Sequence, residues 1–327
     1  RIGPQGSALA LTKARLFDHS EGVVRVGQAT NTRDRAESSL EDSYEEGRVV
    51  MRIRKRLLVL AATSIAVLAT AAAGLAITNG QPDGDNHPYV GLAVFDVNGS
   101  PSHRCSASLL SPTVVLTAAH CTVGTSAARV WFDEVVQGNP EYPFSGATSF
   151  DGVAYTNPNF CNPCGNGLHN FALGDVGIIV LSEPVPPSKV NEYAALPAAG
   201  LVDTLKNKTK IDFVGYGVQF QQQIPGNVLP QPPPFFRWAG PRVRLYAASE
   251  LVSGNFKESA QLMKFGLNPG GGSGGTCFGD SGGPDLLGGT DTVLAVNSFV
   301  TNVNCSGVGY SSRVDTASAL TWISSFL

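Results

Sequence analysis

From Ile77 onward, short apolar runs alternate with turns rich in Gly, Pro, Asn and Ser. Apolar runs bounded by such punctuation read as β-strands rather than helices. The pattern predicts strands over Val90–Val97, Ala107–Leu110, Val114–Thr117, Arg129–Phe132, Val176–Leu181, Ile211–Val214 and Val293–Phe299. One helical turn is expected after His120, and Ala317–Phe326 is the only convincing longer helix. No internal repeat at fixed period is present, and the region reads as all-β.

Upstream of Ile77 the pattern changes. Met51-Arg52-Ile53-Arg54-Lys55-Arg56 is basic, and Leu57 to Ala73 is an unbroken run of apolar and small residues. Gly74-Leu75-Ala76 then offers small residues at the two positions a signal peptidase reads. Residues 51–76 therefore read as a secretory signal peptide. Ala71-Ala72-Ala73 is an equally good cleavage site. Residues 1–50 mix charges without periodicity, and the expectation is an upstream stretch outside the native mature protein, with Met51 the true start. The alternative keeps residues 57–77 as a signal anchor, just long enough to span a bilayer, with the preceding basic residues on the cytoplasmic side. Membrane association is expected only in that case.

Residues 77–327 carry 12 Lys and Arg against 18 Asp and Glu, a net charge of −6. No Lys/Arg run follows Arg56, so no nucleic-acid partner is expected. All six cysteines fall in this part, and an even count behind a leader reads as disulfides. Cys161 and Cys164 form a CxxC in Phe160-Cys161-Asn162-Pro163-Cys164-Gly165. Such a pair can be redox-active or half of a zinc site. His169 is near, but no second Cys pair remains, and the Pro/Gly flanks argue for a loop rather than a helix N-terminus. A local structural disulfide is the favoured reading.

The chemistry-bearing segment is Gly279-Asp280-Ser281-Gly282-Gly283-Pro284. A serine hydroxyl needs a base to take its proton and donors to hold the oxyanion that forms. Glycines around it let backbone N–H groups turn toward one spot. Upstream, Val114-Val115-Leu116-Thr117-Ala118-Ala119-His120-Cys121 ends a strand-like run on a histidine, and Asp175 opens the apolar run Asp175–Leu181. Taken singly, these could be a turn, a structural histidine and a cap. In the order His, Asp, Ser, with these flanks, they resemble the trypsin/chymotrypsin family of serine proteases. Further matching motifs are Ile77-Thr78-Asn79-Gly80, His103-x-Cys105, Phe213-Val214-Gly215-Tyr216-Gly217, Ser298-Phe299-Val300, Gly309–Val314 and Ala319–Ile323. The resemblance covers nearly all of residues 77–327.

The resemblance implies two six-stranded antiparallel β-barrels with a C-terminal helix, the boundary falling near Pro184–Leu196. It implies a secreted, extracellular serine endopeptidase acting on protein or peptide substrates without cofactor or metal; the short Ala-rich leader suggests a bacterial-type member. His120, Asp175 and Ser281 would form the triad that this resemblance implies. Gly279 and Ser281 would form the oxyanion hole. Gly275, Thr276, Ser298, Phe299 and Val300 would shape the substrate pocket. The disulfides implied are Cys105–Cys121 and Cys277–Cys305. Ile77 would be the mature N-terminus, its ammonium pairing with Asp280. The pocket position six before Ser281 is Gly275, not an acid, and Val300 would shorten the slot, so small or medium apolar P1 residues are expected. An inactive family member that binds a partner is the rival reading.

Two loops depart from the family pattern. His120 and Asp175 are 55 residues apart, longer than usual, with the CNPC element between them. Gln221 to Pro241 opens on a run of three glutamines and holds Pro-Pro-Pro, and is expected to form an exposed polyproline-like loop without strand or helix.

Overall fold

A computed structural model describes residue 77 and residues 80–223, 236–267 and 274–327. Residues 1–76, including the leader and the upstream stretch, lie outside the described residues. Among the described residues no helix is long and apolar enough to cross a membrane.

The first half is a closed antiparallel barrel. Its strands are β2 (Val90–Val97), β3 (Ser100–Ser111), β4 (Val114–Thr117), β5 (Ala127–Trp131), β6 (Phe150–Thr156) and β7 (Gly177–Leu181), in the spatial order β2-β3-β4-β7-β6-β5; the two-residue β1 (Gln81–Pro82) precedes them. Strands β2 and β4 are buried along almost their whole length, because one face fills the barrel and the other meets neighbouring structure. Closure leaves no open edge.

The second half is built from β8 (Lys210–Gly215), β11 (Leu245–Glu250), β12 (Leu262–Leu267), β13 (Pro284–Leu287), β14 (Val293–Val300) and β15 (Gly307–Arg313). With β1 they form a seven-stranded sheet in the order β1-β11-β8-β13-β14-β15-β12. An isolated bridge, Leu251↔Phe265, brings β12 back beside the end of β11. Its interior holds Phe213, Leu245, Met263, Phe265 and Leu294. The connection Pro184–Leu196 links the halves where expected.

Among the described residues three short α-helices complete the fold: α1 (Ala119–Thr122), α2 (Leu201–Thr204) and α3 (Ala317–Ser324). The Thr316 hydroxyl caps α3 by accepting from the Ala319 amide at 3.2 Å. Ala319 and Ile323 of α3 bury into the apolar cluster of the first barrel, and Phe326 meets Tyr155 of β6 at 5.1 Å. The C-terminal helix thus ties the halves together. A second tie is the buried ion pair of Arg244 with Asp83 at 2.8 Å, whose guanidinium also donates to Val90 O and Phe132 O.

One expectation is corrected. The ends of the glutamine- and proline-rich loop are strands: β9 (Phe220–Gln223) and β10 (Phe236–Ala239) pair antiparallel, Gln221 opposite Trp238. Every residue of these two segments keeps its amide N–H for the ladder; the Pro-Pro-Pro run falls between them, in residues 224–235, outside the described residues, and Pro241 follows β10.

Candidate active site

Strand β4 delivers His120. It runs through Ala118 and Ala119, both fully buried, into the single turn of α1. β7 must pass close by: a Cβ on Gly177 would sit 2.6 Å from Ala118 O. Asp175, just before β7, therefore faces His120. The His120 amide donates to Asp175 Oδ1 at 2.8 Å, and Nδ1 meets Oδ2 at 2.8 Å. A carboxylate only accepts, so Nδ1 carries the proton and Nε2 is left as the acceptor.

The electrostatics follow from burial and pairing. Burial works against charge on His120, but the Asp175 carboxylate and its hydrogen bond outweigh it and raise the imidazole pKa above 6.5. Burial likewise pushes Asp175 upward, yet His120, Ser298 and the His120 amide hold it below the ordinary carboxylate value. Ser298 Oγ donates to Asp175 Oδ2.

Ser281 sits in a turn gripped by both halves. The Ser106 amide of β3 donates to Ser281 O at 2.9 Å, Ser106 Oγ donates to Gly279 O at 3.0 Å, and the Gly282 amide donates to Asn297 O of β14 at 2.8 Å. Gly279 and Gly282 have φ of 95° and 76°, a region open to glycine. A Cβ on Gly282 would lie 2.1 Å from Thr117 Oγ1 and 2.7 Å from the Ala118 amide nitrogen, so the serine turn presses on the strand that carries His120. Among the described residues no hydrogen bond joins Ser281 Oγ to His120, and neither the Gly279 nor the Ser281 amide donates to a protein partner. Serine–base contacts are commonly long until substrate binds.

A cleft of about 160 Å³ opens at Ser281. Thr276, Ser298, Phe299 and Val300 line it, joined by Cys277, Phe278 and Asn297. Gly275 is not in this lining; a Cβ on it would lie 2.4 Å from Leu267, so it packs back against β12. Phe299 stacks on Tyr310 at 4.7 Å and meets Phe171, from the loop before Asp175, at 4.8 Å.

Asp280 is fully buried, its oxygens accepting from the Gly217 and Cys277 amides at 2.8 and 2.9 Å. Burial pushes its pKa up to about 7, against the pull of the two amides and of the Arg104 charge. Ile77 is buried in the second core cluster with Val202 and Phe213, and no ion pair between Ile77 and Asp280 occurs among the described residues. In this chain Ala76 precedes Ile77, whose nitrogen is in a peptide bond.

The three disulfides are Cys105–Cys121, Cys161–Cys164 and Cys277–Cys305. Cys161 also exchanges backbone hydrogen bonds with Leu173, closing the CNPC loop on itself. Among the described residues the one His/Cys group compact enough for a metal is Cys105, His120 and Cys121, and its two sulfurs are bonded to each other.

Sequence reasoning assigned Ser298 to the pocket alone and passed over Ser106 and the glycine cradle of Asp280. A Cβ on Gly215 or Gly217 would lie 2.4 or 2.2 Å from an Asp280 oxygen. The Gly-Tyr-Gly spacing was the available signal for that cradle.

A family model described as Trypsin matches residues 78–323. Chymotrypsin-like elastase family member 3B of Macaca mulatta is 29% identical over 126 residues, 38% of this chain and 45% of that protein. Chymotrypsin-like elastase family member 3A of Homo sapiens is 30% identical over 128 residues, 38% of this chain and 43% of that protein. The matches span less than half the length of these relatives. Both are mammalian and lend no support to the bacterial type. Among solved structures, HL collagenase aligns with a TM-score of 0.53 at 19% identity, covering 73% of this chain and 93% of that one. A mutant of human heparin binding protein (CAP37) aligns with a TM-score of 0.50 at 18% identity, covering 75% and 94%. At these identities the likeness is one of fold.

Proposed function

The chain belongs to the trypsin family, and we propose that it is a secreted serine endopeptidase acting through His120, Asp175 and Ser281. The observation that carries this reading is the shared cleft. Ser281 lines it with Ser298, and Ser298 bonds the buried carboxylate that holds His120 Nδ1.

Ser281 Oγ attacks the peptide carbonyl while His120 Nε2 takes its proton. The Gly279 and Ser281 amides receive the oxyanion. As the C–N bond breaks, His120 returns the proton to the leaving amine, and an acyl-enzyme remains on Oγ. Water, deprotonated by His120, then attacks the ester and releases the acid. Asp175 keeps Nε2 as the acceptor and stabilises the imidazolium.

The substrate residue before the scissile bond is small or medium and apolar. Val300 narrows the cleft, the described lining carries no charged side chain, and the relatives named elastases support this direction. The leader-like residues 51–76 and the three disulfides support an extracellular setting.

A fluorophosphonate probe tests the reading. Labelling at Ser281, lost in Ser281→Ala together with peptide hydrolysis by several orders of magnitude, is the expected result. An unlabelled, folded protein, or an active Ser281→Ala variant, would sink it.

A further inference from the structure

Resting on the peptidase reading above, we propose that Arg104 recognises an acidic side chain of the substrate on the leaving-group side of the scissile bond.

The Ser281 turn lies between two strands, and they face opposite parts of a bound peptide. On one side the Gly282 amide bonds Asn297 O of β14, the strand whose Ser298, Phe299 and Val300 line the cleft for the acyl half. On the other, Ser106 of β3 bonds Ser281 O. Arg104 stands two residues before Ser106. The proton path gives the same assignment. His120 must protonate the leaving amine, so the leaving segment departs past His120. The neighbouring Cys121 is bonded to Cys105, directly after Arg104.

The guanidinium reaches this place. Arg104 Nε lies 3.7 Å from where a Cβ on Gly279 would stand, and the side chain is half-buried. Its charge is not used elsewhere among the described residues. Arg129, Arg244 and Arg313 each hold a carboxylate, of Asp96, Asp83 and Asp315 respectively, and Arg242 lies over the Tyr142 ring at 4.3 Å. Arg104 has neither an ion pair nor a side-chain hydrogen bond there. Asp280 feels its charge, but both Asp280 oxygens are buried and occupied by backbone amides. A guanidinium presents a planar fork of donors that matches a carboxylate. The described lining of the acyl-side cleft carries no charged side chain, and Arg104 can discriminate by charge across the bond from Val300.

Internally quenched peptides test this. They share one acyl half ending in Ala and carry Asp, Glu, Gln or Lys at the first or second residue after the scissile bond. At low salt, acidic peptides should exceed Gln peptides in kcat/KM by about threefold to tenfold, as expected for a solvent-accessible ion pair. Added NaCl should shrink the ratio. Arg104→Glu should invert it in favour of Lys, and Arg104→Lys should keep its direction. A wild-type enzyme that cleaves all four series equally overturns the proposal, as does an Arg104→Glu or Arg104→Gln enzyme with the wild-type ratio. The wild-type ratio decides even where a variant fails to fold. A protein that takes no fluorophosphonate and cleaves none of the peptides overturns the peptidase reading itself, and this inference with it.

Discussion

Ser298 Oγ and His120 Nδ1 converge on the same oxygen, Oδ2 of Asp175. The carboxylate that orients the imidazole is thus itself oriented from the second half of the molecule, by the strand that also lines the cleft. Removing that donor leaves the Asp175 charge more concentrated on the His120 contact. Ser298→Ala should lower kcat/KM about tenfold, or about 1.4 kcal/mol. In the proposed mechanism activity needs neutral His120, so it should fall as pH drops through the imidazole pKa, which is raised above 6.5 in the wild type. The acid limb of the kcat/KM profile should therefore lie above 6.5 and move higher still in Ser298→Ala. An unmoved limb would make Ser298 only a wall of the cleft.

Asp285 gives a stability prediction. It lies on β13, fully buried among strands of the second half, and neither carboxyl oxygen has a hydrogen-bond partner; Ser311 is near but does not reach hydrogen-bond geometry. Burial holds its pKa well above 3.8. Unfolding then releases a proton at pH above the ordinary carboxylate value. Stability is full below about 4 and is lost as pH rises toward the raised folded value. Asp285→Asn should be more stable than wild type at pH 7, by about 1–3 kcal/mol, and equal to it near pH 3.5. Thermal unfolding across pH checks this; a gap independent of pH would refute the titration argument.

Asp285 also marks where the sequence stops being legible. The three residues of the proposed triad stand out in the sequence because each sits in a distinctive local stretch. β2, β4 and β7 could be read because each is built on an apolar run: Leu92–Phe95, Val114–Leu116 and Ile178–Leu181. β6 could not: Phe150–Thr156 carries Asp151, Gly152 and Thr156, and only Gly152 is fully buried. β11 and β12, LYAASE and LMKFGL, are rich in good helix formers, and only their pairing with β8 and β15 makes them strands. The roles of Ser106, Ser298 and Asp285 depend on which strands meet across the fold, and no single stretch of chain contains that.

The disulfides should rank by the chain they close. Cys277 and Cys305 are 28 residues apart, Cys161 and Cys164 only 3. Loop-closure entropy gives about 3.5 kcal/mol for the first and about 2 for the second. Urea unfolding of the double Ala variants should reproduce that order. Cys277 also lines the cleft, so its variant should lose activity as well as stability.

Activation supplies a further test. Asp280 is buried without an ammonium, which is why its pKa stands near 7. In a chain beginning at Ile77, the new ammonium is proposed to pair with it and order the oxyanion turn, where removing one member of such a pair costs about 3–5 kcal/mol. Protein beginning at Ile77 should be active as secreted. Protein beginning at Gly74 should stay inactive until the three extra residues are trimmed. Because a raised carboxyl pKa makes stability fall as pH rises through it, the Gly74 form should also lose stability between pH 4 and 7 relative to the Ile77 form. Equal activity of the two forms would refute the pairing.

Enlarging the cleft at Val300 tests the proposed pocket directly. It lines the cleft beside Ser281 and packs on the second core cluster. Its β-branched side chain occupies space that a large substrate residue before the scissile bond would need. Val300→Gly removes that wall, and the cleft of about 160 Å³ should then admit an aromatic ring. With matched peptides ending in Ala or Phe before the scissile bond, the Phe/Ala ratio of kcat/KM should rise at least tenfold, within the range that hydrophobic pocket contacts supply. The packing lost should cost about 1–2 kcal/mol of stability, read from urea unfolding, since a partly buried valine contributes that much. A Phe/Ala ratio unchanged in a folded Val300→Gly enzyme would show that the side chain does not limit the pocket, and would remove Val300 from the proposed preference for small residues.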